Sequence, residues 1–428
     1  MSQISKSHEM TLEESMLDMG RHARAASARL AAMTPAQRTS GLKAMADALE
    51  SAESLILDAN KRDMERAREK GLDDAMLDRL ALNPGRIHAI AKAVRDIAAL
   101  PDPVGQEIAR WQVPSGLDIA RVRTPLGVIG IIYESRPNVT ADAAALCLRS
   151  GNAAILRAGS ESLQSALAIA TTLRSGLKGA GLPQDAIQLV NTTDRDAVGH
   201  MLSGLQGQID VIVPRGGKGL VARVQKDARV PVIGHLEGLC HAYVDVDADA
   251  DKAVSIVLNA KMRRTGICGA LETLLINRSV AESLLPALAA PLREAGCELR
   301  GDEAARAILP DIKAATEEDW HAEYLAPILA IRIVDDLDAA LDHIAHFGTG
   351  HTELIITENA STAERFLAQV DAGIVLHNAS TQFADGGEFG MGAEIGIATG
   401  RIHARGPVGA EQLTIFKYVV RGTGQIRP

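Results

Sequence analysis

The chain has 428 residues, a formal net charge of −9 and a hydrophobic content of 46%. This length exceeds what one compact core usually supports, so we expect two or three domains, and the composition excludes a disordered chain. The negative charge and an aromatic content of only 3% argue against general binding of nucleic acid or of an anionic membrane.

The N-terminal segment and the cysteines predict the compartment. Residues 1–14 lack the apolar stretch of a signal peptide and are expected to be frayed, and no apolar run is long enough to cross a bilayer. The cysteines are scattered without CxxC spacing, which excludes a standard zinc site and gives no sign of a disulfide framework. We therefore expect a cytoplasmic protein without a metal. These cysteines are Cys147, Cys240, Cys268 and Cys297.

Helical periodicity dominates the first hundred residues. Residues 12–26 place apolar side chains on one face, and Thr34 to Gln37 form a capping box that begins a helix expected to continue to about Lys70. Residues 117–123 then alternate apolar and polar side chains, which predicts an antiparallel ribbon. The alternating residues 413–420 are expected to pair either with this ribbon or with a partner subunit.

Short apolar segments alternate with helical segments through the rest of the chain. This pattern predicts an α/β fold with two doubly wound parallel-sheet domains, and the ribbon and the C-terminal segment add a β arm. The expected strands are 126–132, 153–157, 186–190 and 210–214, followed by 241–246, 271–277, 327–333, 351–357 and 373–378.

Two glycine-containing turns are candidates for holding a dinucleotide, although no GxGxxG follows the first strand. Each turn has a basic residue at the carboxyl end of a strand, where ligands of open α/β sheets collect and helix N-termini favour anions. Either turn alone could be only a tight strand-to-helix connection, but together they favour a dinucleotide site. The first contains Arg157, Gly159 and Ser160, and the second contains Arg215, Gly216, Gly217 and Lys218.

Cys268 is the candidate nucleophile. It lies in a glycine-flanked loop after Lys261, Arg263 and Arg264, and cationic surroundings increase the thiolate fraction of a cysteine. A thiolate can take up an acyl group as a thioester. The alternative for any single cysteine is unreactive burial. Cys240 is a rival, but it enters an apolar strand and is interpreted as structural.

A second polar segment could bind an anionic substrate. Residues 383–396 are dense in glycine and carboxylate, and Arg401, His403 and Arg405 follow. Their side chains offer hydrogen-bond donors for an anion in an otherwise acidic protein. The alternative is a flexible surface loop with solvated charges.

These segments, in this order, resemble the aldehyde dehydrogenase superfamily. The resemblance rests on residues 125–130, on residues 150–157, on the cysteine loop and on the segment 323–327 that contains Glu323. Within the superfamily, residues 132–140, 240–249, 383–397 and 403–409 are similar to the gamma-glutamyl phosphate reductases, also called glutamate-5-semialdehyde dehydrogenases. The similarity spans nearly the whole chain.

The resemblance implies a three-part organisation. A cofactor-binding domain would comprise residues 1–110 and 125–240, with a return of the chain at 384–407. A catalytic domain would comprise residues 241–383, and an oligomerisation arm would comprise residues 111–124 and 408–428. The implied partners are further copies of the chain and, transiently, glutamate 5-kinase.

The resemblance also implies a reaction and its residues. NADP(H) would be the cofactor and L-glutamyl 5-phosphate the substrate, reduced through a Cys268 thioester to the semialdehyde. Glu323 would contact the nicotinamide ribose, while Arg157 and Lys218 are possible partners of the 2′-phosphate. The backbone N–H of Cys268 and either Ser135 or Asn138 would hold the oxyanion. The substrate-binding candidates are Arg136, Arg401, His403 and Arg405.

One departure from the superfamily concerns water. Hydrolytic members carry a general-base glutamate, whereas His235 stands at that position here and Glu237 follows two residues later. A reductase benefits from lacking this base, since water would destroy its thioester. The sequence therefore favours acyl-phosphate reduction over a hydrolytic aldehyde dehydrogenase. A non-catalytic oligomeric binding protein is the third alternative.

Overall fold

The computed structural model describes residues 10–427, so residues 1–9 of the expected frayed start lie outside the described part. The described chain divides into two compact units. The first contains residues 10–234, 391–396 and 408–427, and the second contains residues 235–390 and 397–407. Among the described residues, no helix is both long enough and apolar enough to span a membrane.

The first unit begins with a helical block: α1 (Leu12–Ala31), α2 (Pro35–Ser51), α3 (Glu53–Glu69), α4 (Asp74–Leu80) and α5 (Pro84–Ala99). The predicted capping box is confirmed, because the Thr34 hydroxyl accepts a hydrogen bond from the Gln37 N–H and the Gln37 side chain accepts one from the Thr34 N–H. The expected helix to Lys70 is two helices. Ala52 leaves the helical conformation at φ −100° and ψ 15°, which separates α2 from α3.

A four-stranded parallel sheet, in the order β5-β4-β3-β6, forms the centre of this unit. Its strands β3 and β4 are apolar because helices cover both of their faces, and β3 is buried along its full length. Helix α1 packs on one face together with the helices that follow β5 and β6. The elements are β3 (Val128–Tyr133), α6 (Val139–Arg149), β4 (Ala153–Arg157), α7 (Leu163–Gly179), β5 (Ile187–Leu189), α8 (Asp196–Leu202), β6 (Val211–Arg215) and α9 (Lys218–Asp227).

A separate antiparallel sheet contains β1 (Glu107–Gln112), β2 (Asp118–Pro125) and the C-terminal β16 (Thr414–Arg421). The register runs from Thr414 opposite Pro125 to Arg421 opposite Asp118. The first of the two expected pairings is therefore confirmed, since the C-terminal segment pairs with the ribbon of its own chain. The sheet exposes six apolar side chains: Ile108, Trp111, Ile415, Phe416, Tyr418 and Val420. Phe416, Tyr418 and Val420 alternate along β16 and therefore share one face with Trp111, whose ring contacts that of Tyr418, and we call this the aromatic face.

The second unit is built on a seven-stranded parallel sheet in the order β10-β9-β11-β8-β7-β12-β13. All five predicted strands of this half are present, and the short β9 and β10 extend the sheet at one edge. The elements are β7 (Cys240–Val244), α10 (Ala250–Met262), β8 (Leu271–Asn277), α11 (Arg278–Glu294), β9 (Glu298–Gly301), α12 (Glu303–Ile308), β10 (Lys313–Ala314), β11 (Ile328–Val334), α13 (Leu337–Phe347), β12 (Thr352–Ile356), α14 (Ala360–Gln369) and β13 (Ile374–His377), followed by the β14 (Ile397–Ala398) and β15 (Gly406–Pro407) ribbon.

Helices cover both faces of this sheet. Helices α10, α11 and α12 pack on one face, and α13 and α14 pack on the other. Neighbouring side chains of one strand point to opposite faces, as the period of two requires: Ala242 and Val244 join the first core, whereas Tyr243 joins the second. The predicted α/β class, with two doubly wound parallel sheets and an antiparallel sheet, is confirmed.

The course of residues 384–407 differs from the expected return to the first domain. Only residues 391–396 belong to the first unit, while 384–390 and 397–407 belong to the second. The β14–β15 ribbon lies against the turn before β13, where a Cβ on Gly373 would stand 3.2 Å from the Gly406 nitrogen. Asp371 also forms ion pairs with Arg401 and Arg405. These contacts hold the ribbon in the second unit.

A buried ion pair in the first unit gives a stability prediction. The Arg38 side chain is 1% exposed, and its Nε and Nη2 donate to the Asp102 carboxylate at 2.8 and 3.1 Å. We expect Asp102→Asn to cost about 3–5 kcal/mol in free energy of unfolding, since it leaves a buried guanidinium without its counter-charge. The midpoint of urea unfolding, followed by circular dichroism, measures the loss.

Asp47→Asn is the matched control, because Asp47 pairs with Arg95 at the surface with its side chain 70% exposed. Loss of an exposed pair is expected to cost no more than about 1 kcal/mol. Equal shifts for the two variants would contradict a structural role of the Arg38–Asp102 pair.

Candidate active site

Cys268 lies in the second unit, in the loop between the end of α10 and the start of β8, and it is half-buried. The backbone at Gly238 presses against it. A Cβ on Gly238 would stand 2.5 Å from both the Cβ and the carbonyl oxygen of Cys268, a distance that real Cβ atoms do not reach. Residue 238 must therefore be glycine for this loop to keep its conformation.

Two histidines accompany the sulfur. One ligand atom from each of His235, Cys268 and His351 lies within 4.8 Å of the others. The His235 Nδ1–H donates to the Ile397 carbonyl at 2.6 Å, and the two imidazole rings meet edge to face with centroids 4.8 Å apart. Burial, and then the proximity of His235, lower the pKa of His351 to about 3, so this imidazole is neutral at physiological pH.

The sequence reasoning missed His351. Strands β8, β7 and β12 are neighbours in the parallel sheet, and Cys268, Cys240 and His351 stand just before or at their first residues. The amino ends of neighbouring parallel strands meet at one edge of the sheet. The residues just before the predicted strands could therefore have been identified as neighbours of Cys268. The sequence prediction placed ligand sites at the carboxyl ends of the strands instead.

The other cysteines are poor nucleophiles. The Cys240 thiol donates to the Cys268 carbonyl at 3.1 Å, and burial followed by the nearby Glu353 carboxylate raises its pKa far above the usual value. Burial likewise raises the pKa of Cys147 and raises that of Cys297 to about 11. Cys268 is thus the one cysteine of the described chain that is not buried.

One of the three cations before Cys268 differs from the expectation. The Lys261 ammonium is fully buried and forms an ion pair with Glu272, whose pKa burial raises to about 7. Its charge is therefore matched locally and is not available to increase the thiolate fraction. Because Lys261 precedes and Glu272 follows Cys268, their pair ties the two ends of the loop together. Arg263 Nη1 lies 3.5 Å from the Gln382 side-chain oxygen.

Glu323, predicted to contact the cofactor, belongs to the same neighbourhood. Its carboxylate accepts a hydrogen bond from the Gly238 N–H at 3.0 Å. Glu323 therefore supports the backbone that lies against Cys268. A contact with the nicotinamide ribose remains a prediction.

The two glycine-containing turns meet in the first unit, at the carboxyl edge of its sheet. Ile132 of β3 pairs with Arg157 of β4, and Tyr133 pairs with Arg215 of β6. A Cβ on Gly159 would lie 3.2 Å from the Ser135 nitrogen. Sequence reasoning brought these segments together correctly, since the carboxyl ends of neighbouring parallel strands share an edge.

Glu134 is a residue of this edge that the sequence reasoning missed. Its carboxylate accepts a hydrogen bond from the Gly217 N–H at 2.8 Å, just before α9 begins at Lys218. A helix N-terminus attracts anions, and here a carboxylate of the chain itself takes that position. A Cβ on Gly216 would stand 2.5 Å from the same carboxylate.

Arg157 is half-buried at this edge, and its Nη1 donates to the Ala158 carbonyl at 2.9 Å. Burial lowers its pKa most strongly. The carboxylates of Glu161 and Glu134 raise the pKa, and the cations Arg195 and Arg223 lower it further. Arg195 and Arg223 were not predicted. Ser160 donates to Glu161 at 2.6 Å, so its hydroxyl is oriented within the turn.

Ser135, Arg136 and Asn138 follow β3 in the first unit. Ser135 has a left-handed backbone at φ +38°, uncommon for a residue other than glycine. The Asn138 side-chain amide donates to Asp142 at 2.9 Å, and burial raises the pKa of Asp142 to about 6. That bond uses one of the two amide hydrogens and fixes the orientation of the group.

Two of the three predicted substrate-binding arginines, Arg401 and Arg405, share one carboxylate. Arg401 and Arg405 both pair with Asp371, and Arg405 Nη2 also donates to the Asp371 carbonyl at 3.0 Å. A substrate anion would have to compete with Asp371 for these donors. His403 lies between them with a left-handed backbone at φ +71°. Substrate binding by these residues and by Arg136 stays a prediction.

The comparisons with known proteins all identify the same family. The chain matches the aldehyde dehydrogenase family over residues 2–307 and 300–397. It is 66% identical to the gamma-glutamyl phosphate reductase of Hyphomonas neptunium over 417 residues, covering 97% of each chain. It is 61% identical to the enzyme of the same name from Caulobacter sp., covering 98% of this chain and 100% of the other.

The solved structures agree with these relatives. The gamma-glutamyl phosphate reductase of Thermotoga maritima superposes with a TM-score of 0.95 at 45% sequence identity, covering 96% of this chain and 100% of that one. The similarity therefore extends over both units.

The different environments of the cysteines predict a selective modification. At neutral pH a mild alkylating reagent is expected to label Cys268 first, because the other thiols are buried and hold their protons. Peptide mass spectrometry locates the label, and Cys268→Ala should abolish the early mass shift. Labelling of Cys297 should rise about tenfold per pH unit as the pH approaches its pKa of about 11. Early labelling of Cys240 would contradict this ranking.

Proposed function

Because the chain belongs to the gamma-glutamyl phosphate reductases of the aldehyde dehydrogenase family, we infer that it reduces L-glutamyl 5-phosphate to L-glutamate 5-semialdehyde. The reaction consumes NADPH, releases phosphate and forms a step of proline biosynthesis. The observation that carries this conclusion is 66% identity over 97% of the chain, which includes the half-buried Cys268.

The chemistry requires an acyl carrier on the protein, and Cys268 fits this role. Its thiolate attacks the carbonyl carbon of the acyl phosphate, the carbon–oxygen bond to the phosphate breaks, and phosphate leaves with the electron pair. The thioester that remains is the substrate for reduction. Collapse of the resulting thiohemiacetal releases the semialdehyde and returns the sulfur to its starting state.

NADPH supplies the hydride for this reduction when bound. The carboxyl edge of the first sheet fits such a group, since Gly216, Gly217 and the start of α9 present backbone N–H groups at an anion-attracting helix end. The half-buried guanidinium of Arg157 lies near the carboxylates of Glu161 and Glu134 and near the cations Arg195 and Arg223, and it is the proposed partner of the 2′-phosphate. Bound phosphate would replace the Glu134 carboxylate at the Gly217 N–H. Lys218 and Ser160 complete the proposed set.

Two donors are proposed for the oxyanion. The Cys268 backbone N–H is one, and Ser135 or Asn138 is the other. Asn138 has the stronger physical case, because Asp142 already fixes the orientation of its amide. Arg136, Arg401, His403 and Arg405 are the proposed groups for the carboxylate and phosphate of the substrate.

The proposed roles of the two units follow from these assignments. The first unit would bind the cofactor, and the second would carry the catalytic cysteine. The aromatic face would join copies of the chain, since six exposed apolar side chains on one small sheet are costly in water. We further propose a cytoplasmic location and a transient contact with glutamate 5-kinase, because an acyl phosphate hydrolyses readily in water.

Substitution of the nucleophile gives the first functional prediction. Cys268→Ala is expected to abolish turnover while NADPH binding, measured by fluorescence titration, stays within about twofold of the wild type. Cys297→Ala is the matched control, because it removes a buried thiol of the same unit and should keep near-normal activity. Appreciable turnover by the Cys268→Ala variant would disprove the thioester route.

The fate of the thioester gives the second functional prediction. In the oxidative direction, glutamate semialdehyde should be consumed only when inorganic phosphate is present, because phosphate must release the acyl group from Cys268. The formation of NADPH measures the rate with and without phosphate. A hydrolytic aldehyde dehydrogenase would instead use water, so a phosphate-independent rate would favour that alternative.

A further inference from the structure

The group formed by His235, Cys268 and His351 has a donor set that the reaction itself does not explain. One ligand atom from each residue lies within 4.8 Å of the others, and all three residues belong to the second unit. One sulfur and two imidazoles form the mixed set that zinc prefers in proteins. The cysteine spacing excludes only standard zinc sites, because two of the three donors here are histidines far apart in sequence.

The hydrogen bond of His235 fixes which nitrogen can bind a metal. Its Nδ1 lies 2.6 Å from the Ile397 carbonyl, which can only accept, so Nδ1 carries the proton. The lone pair of the neutral ring is therefore on Nε2. Metal-binding histidines commonly donate their other N–H to a backbone carbonyl in this way.

His351 is more deeply buried, and its neighbour is a hydroxyl that can donate or accept, so metal binding at Nε2 requires the tautomer with the proton on Nδ1. Its Nδ1 lies 2.9 Å from the Thr352 hydroxyl. Its Nε2 is buried and has no hydrogen-bond partner within residues 10–427, and the side chain is fully enclosed. A buried polar atom without a partner costs free energy, which a metal–nitrogen bond would offset.

We propose that His235 Nε2, the Cys268 sulfur and His351 Nε2 form an inhibitory binding site for a divalent metal ion of the Zn²⁺ class. The Cys268 S–H bond breaks, its proton passes to solvent and the sulfur–metal bond forms, with no change in oxidation state. Water or buffer completes a tetrahedral coordination. Tetrahedral zinc holds its ligand atoms about 3.5 Å apart, so the three side chains must approach one another by roughly an ångström.

The chemistry selects borderline ions over hard ones. Mg²⁺ and Ca²⁺ prefer oxygen ligands, and this site offers nitrogen and sulfur. Cys240 is not expected to be a ligand, because its sulfur lies 3.8 Å from His351 Nδ1 rather than beside Nε2, and its thiol keeps the proton.

Metal binding needs only the geometry of the three side chains. Inhibition rests on the proposed function, because a metal-bound sulfur cannot attack the acyl phosphate.

Cobalt titration of the full-length protein tests the site directly. Co²⁺ is expected to bind with one-to-one stoichiometry and to produce the near-ultraviolet absorption of a cobalt–thiolate bond. The band should disappear in Cys268→Ala and persist in Cys240→Ala. Absence of the band in the wild type, or its persistence in Cys268→Ala, would overturn the proposal.

Histidine variants test the remaining ligands. His235→Gln and His351→Gln should each weaken Co²⁺ binding at least tenfold. His343→Gln is the matched control, because it removes another buried histidine of the second unit outside this group and should leave binding within twofold. Since loss of a buried histidine can unfold the chain, circular dichroism accompanies each titration, and the half-buried His235 provides the safer variant. Equal weakening by all three variants would refute the assignment.

Activity measurements connect the site to regulation. Zn²⁺ should inhibit the reductase, EDTA should restore the rate, and Mg²⁺ at the same concentration should have no effect. A cobalt–thiolate band on a protein that does not reduce the acyl phosphate would disprove the proposed function but support the metal site. Full reductase activity at saturating Zn²⁺ would contradict the proposed inhibition.

Discussion

Glu353 of β12 and His241 of β7 face each other in the second sheet, and both are buried. The Glu353 carboxylate accepts hydrogen bonds from the backbone N–H and from Nδ1 of His241, at 3.0 and 2.8 Å. Burial raises the pKa of Glu353, so this carboxylate depends on its partner. A buried pair of this kind disfavours a slipped register, because a shift of one residue would leave both groups without partners. His351 and Cys240 lie two residues and one residue before the pair, so the same register places both near Cys268.

The buried Lys261–Glu272 pair fixes the start of β8, just as the buried Glu353–His241 pair fixes the register of β12. Its members flank the cysteine loop and are fully buried, so the loop leaves α10 and enters β8 at fixed points. Gly238 then permits a third segment to lie against the cysteine, and Glu323 holds the Gly238 N–H. Three backbone segments thus meet at Cys268: the cysteine loop, residues 238–241 and residues 351–353. Two buried charged pairs within the unit hold them.

Local patterns in the sequence predicted the elements but not their long-range partners. Thr34 and its capping box and the buried β3 follow from periodicity and turn chemistry. Periodicity also predicted the alternation of β16, but it left the partner open between β2 and another subunit. Lys261 was interpreted as a cation acting on Cys268, because nothing local shows that Glu272 neutralises it. Likewise, Arg401 and Arg405 read as anion-binding groups until the fold brings Asp371 to them. The fold class was therefore predictable, whereas the electrostatics depended on tertiary neighbours that periodicity does not reveal.

The position of Cys268 at the amino edge of its sheet has an electrostatic consequence. Helix α10 ends at Met262, just before the cysteine loop, and a helix C-terminus carries partial negative charge. That charge opposes a thiolate, and Lys261 offers no compensation because Glu272 neutralises it. Arg263 and Arg264 follow the helix end directly, so they are the cations best placed to offset the carbonyl dipoles.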